Sequence, residues 1–175
     1  MNETPIMTGA NPTLEDLQIF LNENFDFRYN VLTDMPECKP KNTNTYRMID
    51  KRMLNSLSYK AMMQGIDCKD ADVKRFLFSD QIATHHPFKD YIATLPEWDG
   101  TDRVTMLAAR VSGKAMWLNG FHRWMLGMVA QWLGYPARCA NALAPILISA
   151  EQGMCKSTFC SILLPEELRG YYTDK

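Results

Sequence analysis

Residues 144–164, "APILISAEQGMCKSTFCSILL", constrain the fold more than any other stretch of this sequence. A short apolar run of strand type, Ala144 to Ser149, leads into a polar loop. The loop leads into "KSTFCSILL", where Phe159, Ile162 and Leu163 recur at helical spacing. Strand, loop and helix is the arrangement that the phosphate-loop pattern G-x-x-x-x-G-K-[ST] requires. Aligned on Lys156 and Ser157, the last glycine position holds Cys155 and the first holds Ala150. Gly153 supplies one glycine inside the loop, so the match to the pattern is partial.

The residue types fit the chemistry of a triphosphate, which concentrates negative charge. Backbone N–H groups from Glu151 to Ser157 can wrap it, and a helix beginning there adds its positive end. Lys156 reaches the β- and γ-phosphates, and the Ser157 hydroxyl completes a Mg²⁺ shell. Thr158 adds a backbone donor. Glu151 must point outward, because its carboxylate repels phosphate. The competing reading makes Lys156 a solvated residue in the first turn of a helix. A lysine there opposes the helix dipole and gains nothing locally. Cys155 also has two readings: a small residue that fits, or an oxidisable thiol activated by the helix end and Lys156, whose modification blocks nucleotide.

The rest of the chain reads as mainly helical. Thr13 with Asp16 resembles a capping box ahead of "LEDLQIFLNENF", whose stripe is Leu14, Leu17, Leu21 and Phe25. "FDFRYNVLT" alternates as a strand, and "DMPECKPKNTNT" is a turn or loop that can join a hairpin. Residues 50–65 read as a helix capped by Asp50 and stopped by Gly65, with Met53, Leu57 and Met62 or Met63 inward. Residues 69–82 form another, with Val73, Phe76, Leu77 and Ile82 inward. Pro87 opens a short helix, "PEWDG" is a turn, and Thr101 can cap "DRVTMLAARV". In residues 115–134, Trp117, Phe121, Trp124, Met125, Met128 and Trp132 recur at helical intervals. Such a stripe marks core far more often than a surface for stacking bases, with Trp98 and Trp117 left open.

At 175 residues and 46% hydrophobic, the chain can bury one or two small cores. A net charge of -1 gives no bulk electrostatic case for nucleic acid. The charge is uneven, however. Residues 101–150 hold Arg103, Arg110, Lys114, Arg123 and Arg138 against the single acid Asp102, which allows either a basic face or a solvated helix surface. The cysteines 38, 68, 139, 155 and 160 form no C-x-x-C pair, and His85, His86 and His122 have no ligand spacing to them. That usage implies a reducing, cytoplasmic setting with no zinc. Asn119, His122, Arg123 and Gln131 interrupt the longest apolar stretch, so no membrane span is expected.

Four segments in order, "HPFKDYIATLPEWDGTDRV", "FHRWMLGMVAQWLG", "NALAPILISAEQGMCKSTFCSILLP" and "YYTDK", resemble the virulence-associated protein E family of phages and mobile elements, related to primase-associated helicases of the superfamily-3 type. The resemblance runs from about Asn24 to the end and is strongest from His86 onward. It implies a helical N-terminal domain, followed by the truncated start of an α/β P-loop NTPase domain. It also implies ATP and Mg²⁺ as cofactors, DNA and a primase module as partners, and a role in replication. Carried over, Gln152, Gly153, Lys156, Ser157 and Thr158 fall on the family's phosphate-binding loop. With Glu151, Met154 and Cys155 they complete the expected nucleotide site, with Lys156 catalytic and Ser157 on the metal. Cys155 departs from the usual glycine, where backbone must approach phosphate closely.

The expected layout is therefore a flexible tail over 1–12, a mostly helical region over 13–141 with a short hairpin near 25–48, and the start of a P-loop ATPase domain over 142–175. Eighteen residues follow Ser157, and Asp174 has no apolar strand before it. A second acidic strand end and an arginine finger are not recognisable. The expectation is an N-terminal portion of a longer protein, incomplete for hydrolysis by itself, with oligomer contacts in the C-terminal part. The alternatives are a non-catalytic helical module that docks DNA or a primase and carries a vestigial loop, and a P-loop kinase for a small molecule.

Overall fold

The computed structural model describes residues 12–135 and 144–173. The expected tail through residue 11, Arg138, Cys139 and Asp174 lie outside these residues. The chain is about half helical, with a small mixed four-stranded sheet. It divides into two compact units, residues 1–86 and 87–175.

The first unit opens with α1 (Pro12–Asn24), which runs into β1 (Phe25–Asn30). The helix takes in Thr13, so Thr13 does not cap it. Leu17 and Leu21 are buried, whereas Leu14 lies at the edge of the stripe and is exposed. Phe25 completes the apolar set from the strand that follows. β1 pairs antiparallel with β2 (Met35–Pro40) in the register Phe27 to Cys38 and Arg28 to Glu37. β2 pairs with β3 (Arg47–Met48), and β4 (Thr84–His85) adds in parallel beside β1, giving the order β3-β2-β1-β4.

Most of "MPECKP", read from sequence as loop, is thus a central strand. Prolines in a central strand need a special position, because they donate no ladder bond. The Tyr29 N–H, opposite Pro36, points the other way and donates to the Ala83 carbonyl at 2.9 Å. On its far side Pro36 accepts from the Ile49 N–H at 2.9 Å and can return nothing, and β3 ends at Met48. The turn before β2 is fixed by the fully buried Asn30. Its side-chain oxygen accepts from the N–H groups of Leu32 and Thr33, and its amide donates to Glu37 at 2.8 Å.

α2 (Lys51–Met63) and α3 (Asp70–Leu77) close the core. Asp50 caps α2 by accepting from the Met53 N–H at 2.7 Å, and Gly65 follows the helix with φ of 83°. A left-handed residue there suits glycine and ends the helix. Leu57, Ser58 and Ala61 form the buried side of α2. Met62 and Met63, offered by sequence as core, are exposed; at 100° per residue they lie on the opposite arc from Leu57 and Ala61. Leu17, Leu21, Phe25, Cys38, Leu57, Val73, Leu77 and Ile82 make one apolar cluster.

The second unit holds α4 (Pro87–Ala93), α5 (Arg103–Ala109), α6 (Ala115–Trp132) and α7 (Lys156–Ile162), then a 3-10 turn over Glu166–Tyr171. Asp102, rather than Thr101, caps α5, accepting from the Thr105 N–H at 2.9 Å. Phe121 is the buried centre of α6, with rings of Trp117, Trp124 and Phe159 within about 5–6 Å of its own. Trp117 is a packing residue: its indole N–H donates to the Ala108 carbonyl at 2.8 Å, pinning α6 to α5. Trp98 is 77% exposed, and its N–H is taken by the Thr101 carbonyl at 3.1 Å. No described helix is long and apolar enough to cross a membrane.

Candidate functional site

The segment from Ala144 to Ser149 forms no strand, contrary to the sequence expectation. A strand exists only through its partners, and among the described residues none pairs with it. The burial still alternates with period two. Pro145 and Leu147 are half-buried, while Ile146 is 76% and Ile148 88% exposed. Pro145 and Leu147 face a cavity of about 340 Å³ that Trp124, Trp132, Phe159 and Leu163 also line. Phe159 and Leu163 thus fill the inward role expected of them, and Ile162 is exposed.

The loop between this segment and α7 has an unusual backbone. Gly153 has φ of 77° and Cys155 φ of 51°, both left-handed, with Met154 between them. Left-handed residues set among residues of ordinary backbone are a feature that anion-binding nests share. Glycine adopts this region freely, but a residue with a Cβ does so at a cost of about 1–2 kcal/mol. Cys155 carries that cost at the position where the sequence pattern expects glycine. Its carbonyl accepts the first helical bond, from the Phe159 N–H at 2.8 Å, so its conformation sets the start of α7.

Among the described residues, none of the N–H groups from Glu151 to Ser157 donates a hydrogen bond to the protein. The N–H groups of Ile146 to Ala150 and of Thr158 likewise donate to no described residue, and in so exposed a loop water satisfies such donors until a ligand replaces it. α7 itself spans only seven residues, so its dipole adds little, and the loop amides carry most of the local positive potential.

Lys156 does not extend into solvent. Its ammonium folds back across the loop and donates to the Ser149 hydroxyl at 2.7 Å. Ser149 in turn donates to the Glu151 carbonyl at 2.6 Å. This relay clasps the two ends of the loop and holds a cation beside the open amides. Ser149 was not singled out from the sequence. The available signal was a hydroxyl closing the apolar run, seven residues ahead of the lysine.

Glu151, Gln152, Gly153, Met154, Cys155, Ser157 and Thr158 are all exposed, and Lys156 is half-buried. The Cys155 thiol is exposed and lies 3.7 Å from the Gly153 carbonyl. Cys38 and Cys68 differ: both are buried, and desolvation raises their thiol pKa values. The basic stretch anticipated over 103–138 is thinner than its sequence suggests. Arg103 is committed to Asp99 through two hydrogen bonds of 2.8 and 2.5 Å, leaving Arg110, Lys114 and Arg123 as its exposed cations among the described residues. Arg103 holds the Asp99 carboxyl well below the usual carboxylate range, with help from the Thr101 N–H.

No family model matches the chain, and neither a curated protein nor a solved structure matches it.

Proposed function

We propose that residues 149–158 bind the phosphates of Mg-ATP, and that the chain carries the nucleotide loop of a virulence-associated protein E-like ATPase acting on DNA in a phage or mobile element. The observation that carries the reading is the run of unpaired amides from Glu151 to Ser157, curved by Gly153 and Cys155 and flanked by the Lys156 ammonium. Donors left open in this way are what a polyanion satisfies. The resemblance of the four linked segments supports ATP over other anions, and replication over small-molecule phosphorylation. On this reading Lys156 exchanges the Ser149 hydroxyl for phosphate oxygens. Ser157 ligates Mg²⁺ together with phosphate and water. The proposal concerns binding; turnover needs an acidic residue on a second strand and an arginine acting on the γ-phosphate.

Calorimetric titration of Mg-ATP into the folded chain tests it. Binding that disappears in Lys156→Ala is the expected result. Absence of binding, or binding indifferent to that substitution, overturns it.

Two observations favour a second reading, the non-catalytic module with a vestigial loop. Lys156 is already satisfied by Ser149, and the Cβ of Cys155 stands where the pattern needs bare backbone. That reading predicts no nucleotide binding by wild type and Lys156→Ala alike.

A further inference from the structure

The outward arc of α2 carries Lys51, Arg52, Asn55, Ser56, Tyr59 and Lys60, which together line a shallow open groove. Three are cations and none is a carboxylate, in a chain whose net charge is -1. Among the described residues, neither Lys51 nor Arg52 forms an ion pair. Arg28 pairs with Glu37, Lys39 and Lys41 with Asp26, and Arg75 with Asp72, while Arg47, Lys60, Lys69 and Lys74 form no ion pair among the described residues either; what sets Lys51 and Arg52 apart is that they are adjacent on one helix face. Lys51 and Arg52 also occupy the first turn of α2, where the helix dipole disfavours positive charge. The adjoining carboxylate, Asp50, is spent on the Met53 N–H. Two cations placed against local preference, with no partner to compensate, suit an external anion.

The arc also presents an aromatic ring. Tyr59 is 62% exposed and lies nearly in line with Arg52 along the helix, between Lys51 and Lys60 around it. Lys60 leans over the Phe25 ring at 5.3 Å, which keeps its ammonium at the rim of the face. Lys51 and Lys60 are nine residues apart, about 13 Å along the axis. A spaced row of cations interleaved with a ring and two small polar side chains matches a single strand of nucleic acid, whose phosphates take the cations and whose bases stack. A membrane surface fits less well. Leu57 and Ala61 are buried in the core, and besides Tyr59 the exposed apolar residues of α2 are Met62 and Met63 in its last turn, too few for an inserting face.

We infer that the outward face of α2 is a contact surface for single-stranded nucleic acid, with Lys51, Arg52 and Lys60 on phosphates and Tyr59 stacking on a base. This surface is independent of the nucleotide loop and lies in the other unit, so it stands or falls without it.

The test is fluorescence anisotropy with a labelled mixed-sequence DNA oligonucleotide, without nucleotide, across 50–200 mM salt. Two double variants remove equal charge: Lys51→Ala/Arg52→Ala on the face, and Lys69→Ala/Lys74→Ala beside it. Each phosphate contact to a single strand contributes about 0.7 to the log–log salt slope, so the face variant should flatten it by about 1.4. The neighbouring pair should leave it nearly unchanged. Tyr59→Ala should weaken binding at least about five-fold at unchanged slope. All of these residues are exposed, and circular dichroism checks that each variant is folded. Overturning results are no binding by wild type, equal flattening by both pairs, or binding to phosphatidylserine vesicles but not to the oligonucleotide.

Discussion

Replacing Cys155 with glycine and Gly153 with alanine should move stability in opposite directions. Both positions are left-handed, so the backbone conformation decides the sign of each change. An added Cβ at Gly153 meets no atom within 4 Å, which removes steric collision as an explanation. Forcing an L-residue into that region costs about 1–2 kcal/mol. Alanine also restricts the unfolded chain, which returns about 0.4–1 kcal/mol. Gly153→Ala should therefore lose about 0.5–1 kcal/mol. Cys155→Gly reverses the account: strain is relieved, the unfolded chain gains freedom, and a net 0.5–1 kcal/mol of stability is gained on the same figures. For a unit the size of residues 87–175, 1 kcal/mol corresponds to about 4–8 °C in Tm. Differential scanning calorimetry should thus show the two variants on opposite sides of wild type, each by about 3–5 °C. Shifts of the same sign, or a destabilised Cys155→Gly, would refute the claim that Cys155 holds a strained glycine conformation. If the loop binds phosphate, Cys155→Gly should also bind Mg-ATP more tightly, since glycine lets backbone come closer.

Two further outcomes are expected. Brief maleimide labelling followed by peptide mass spectrometry should modify Cys155 well before the buried Cys38 and Cys68, and saturating Mg-ATP should slow it; labelling of Cys155 indifferent to nucleotide would sink the idea that its modification blocks the site. Asp99 has its carboxyl pKa lowered by Arg103, so its contribution to the turn is present above the unfolded value of about 3.9 and lost only as pH falls through the lower folded value. Carboxyl NMR titration should find Asp99 still ionised at pH 4 and restored toward the ordinary range in Arg103→Ala; a normal titration in wild type would contradict the bidentate pair.

The sequence was most readable where one helix face repeats over several turns. In α6, aromatic residues at helical spacing identified the element, and Phe121 is its buried centre. Asp50 and Gly65 bracketed α2, because capping chemistry is local. Met62 and Met63 were harder to place, since apolar identity does not say which arc of a helix faces inward. β2 hid behind its prolines: "MPECKP" has turn composition, and only the neighbouring ladder shows that the missing N–H groups are not needed toward β1. β4, two residues long, carries no periodic signal. At the loop, Lys156, Ser157 and Gly153 were legible from type and spacing. The left-handed Cys155 and the clasp through Ser149 depend on backbone angles and a hydrogen bond that no spacing rule encodes. "APILIS" had strand composition without partners, and pairing, which defines a strand, is not written in the segment itself.

Hydrogen–deuterium exchange of the folded chain with and without Mg-ATP tests the central claim most directly. The amides from Glu151 to Ser157 donate to nothing in the described structure and should exchange rapidly in the free protein. The account predicts that Mg-ATP slows exchange in peptides covering these seven positions, and that Lys156→Ala abolishes the protection. Unchanged exchange there at saturating Mg-ATP, or protection confined to other segments, would contradict it.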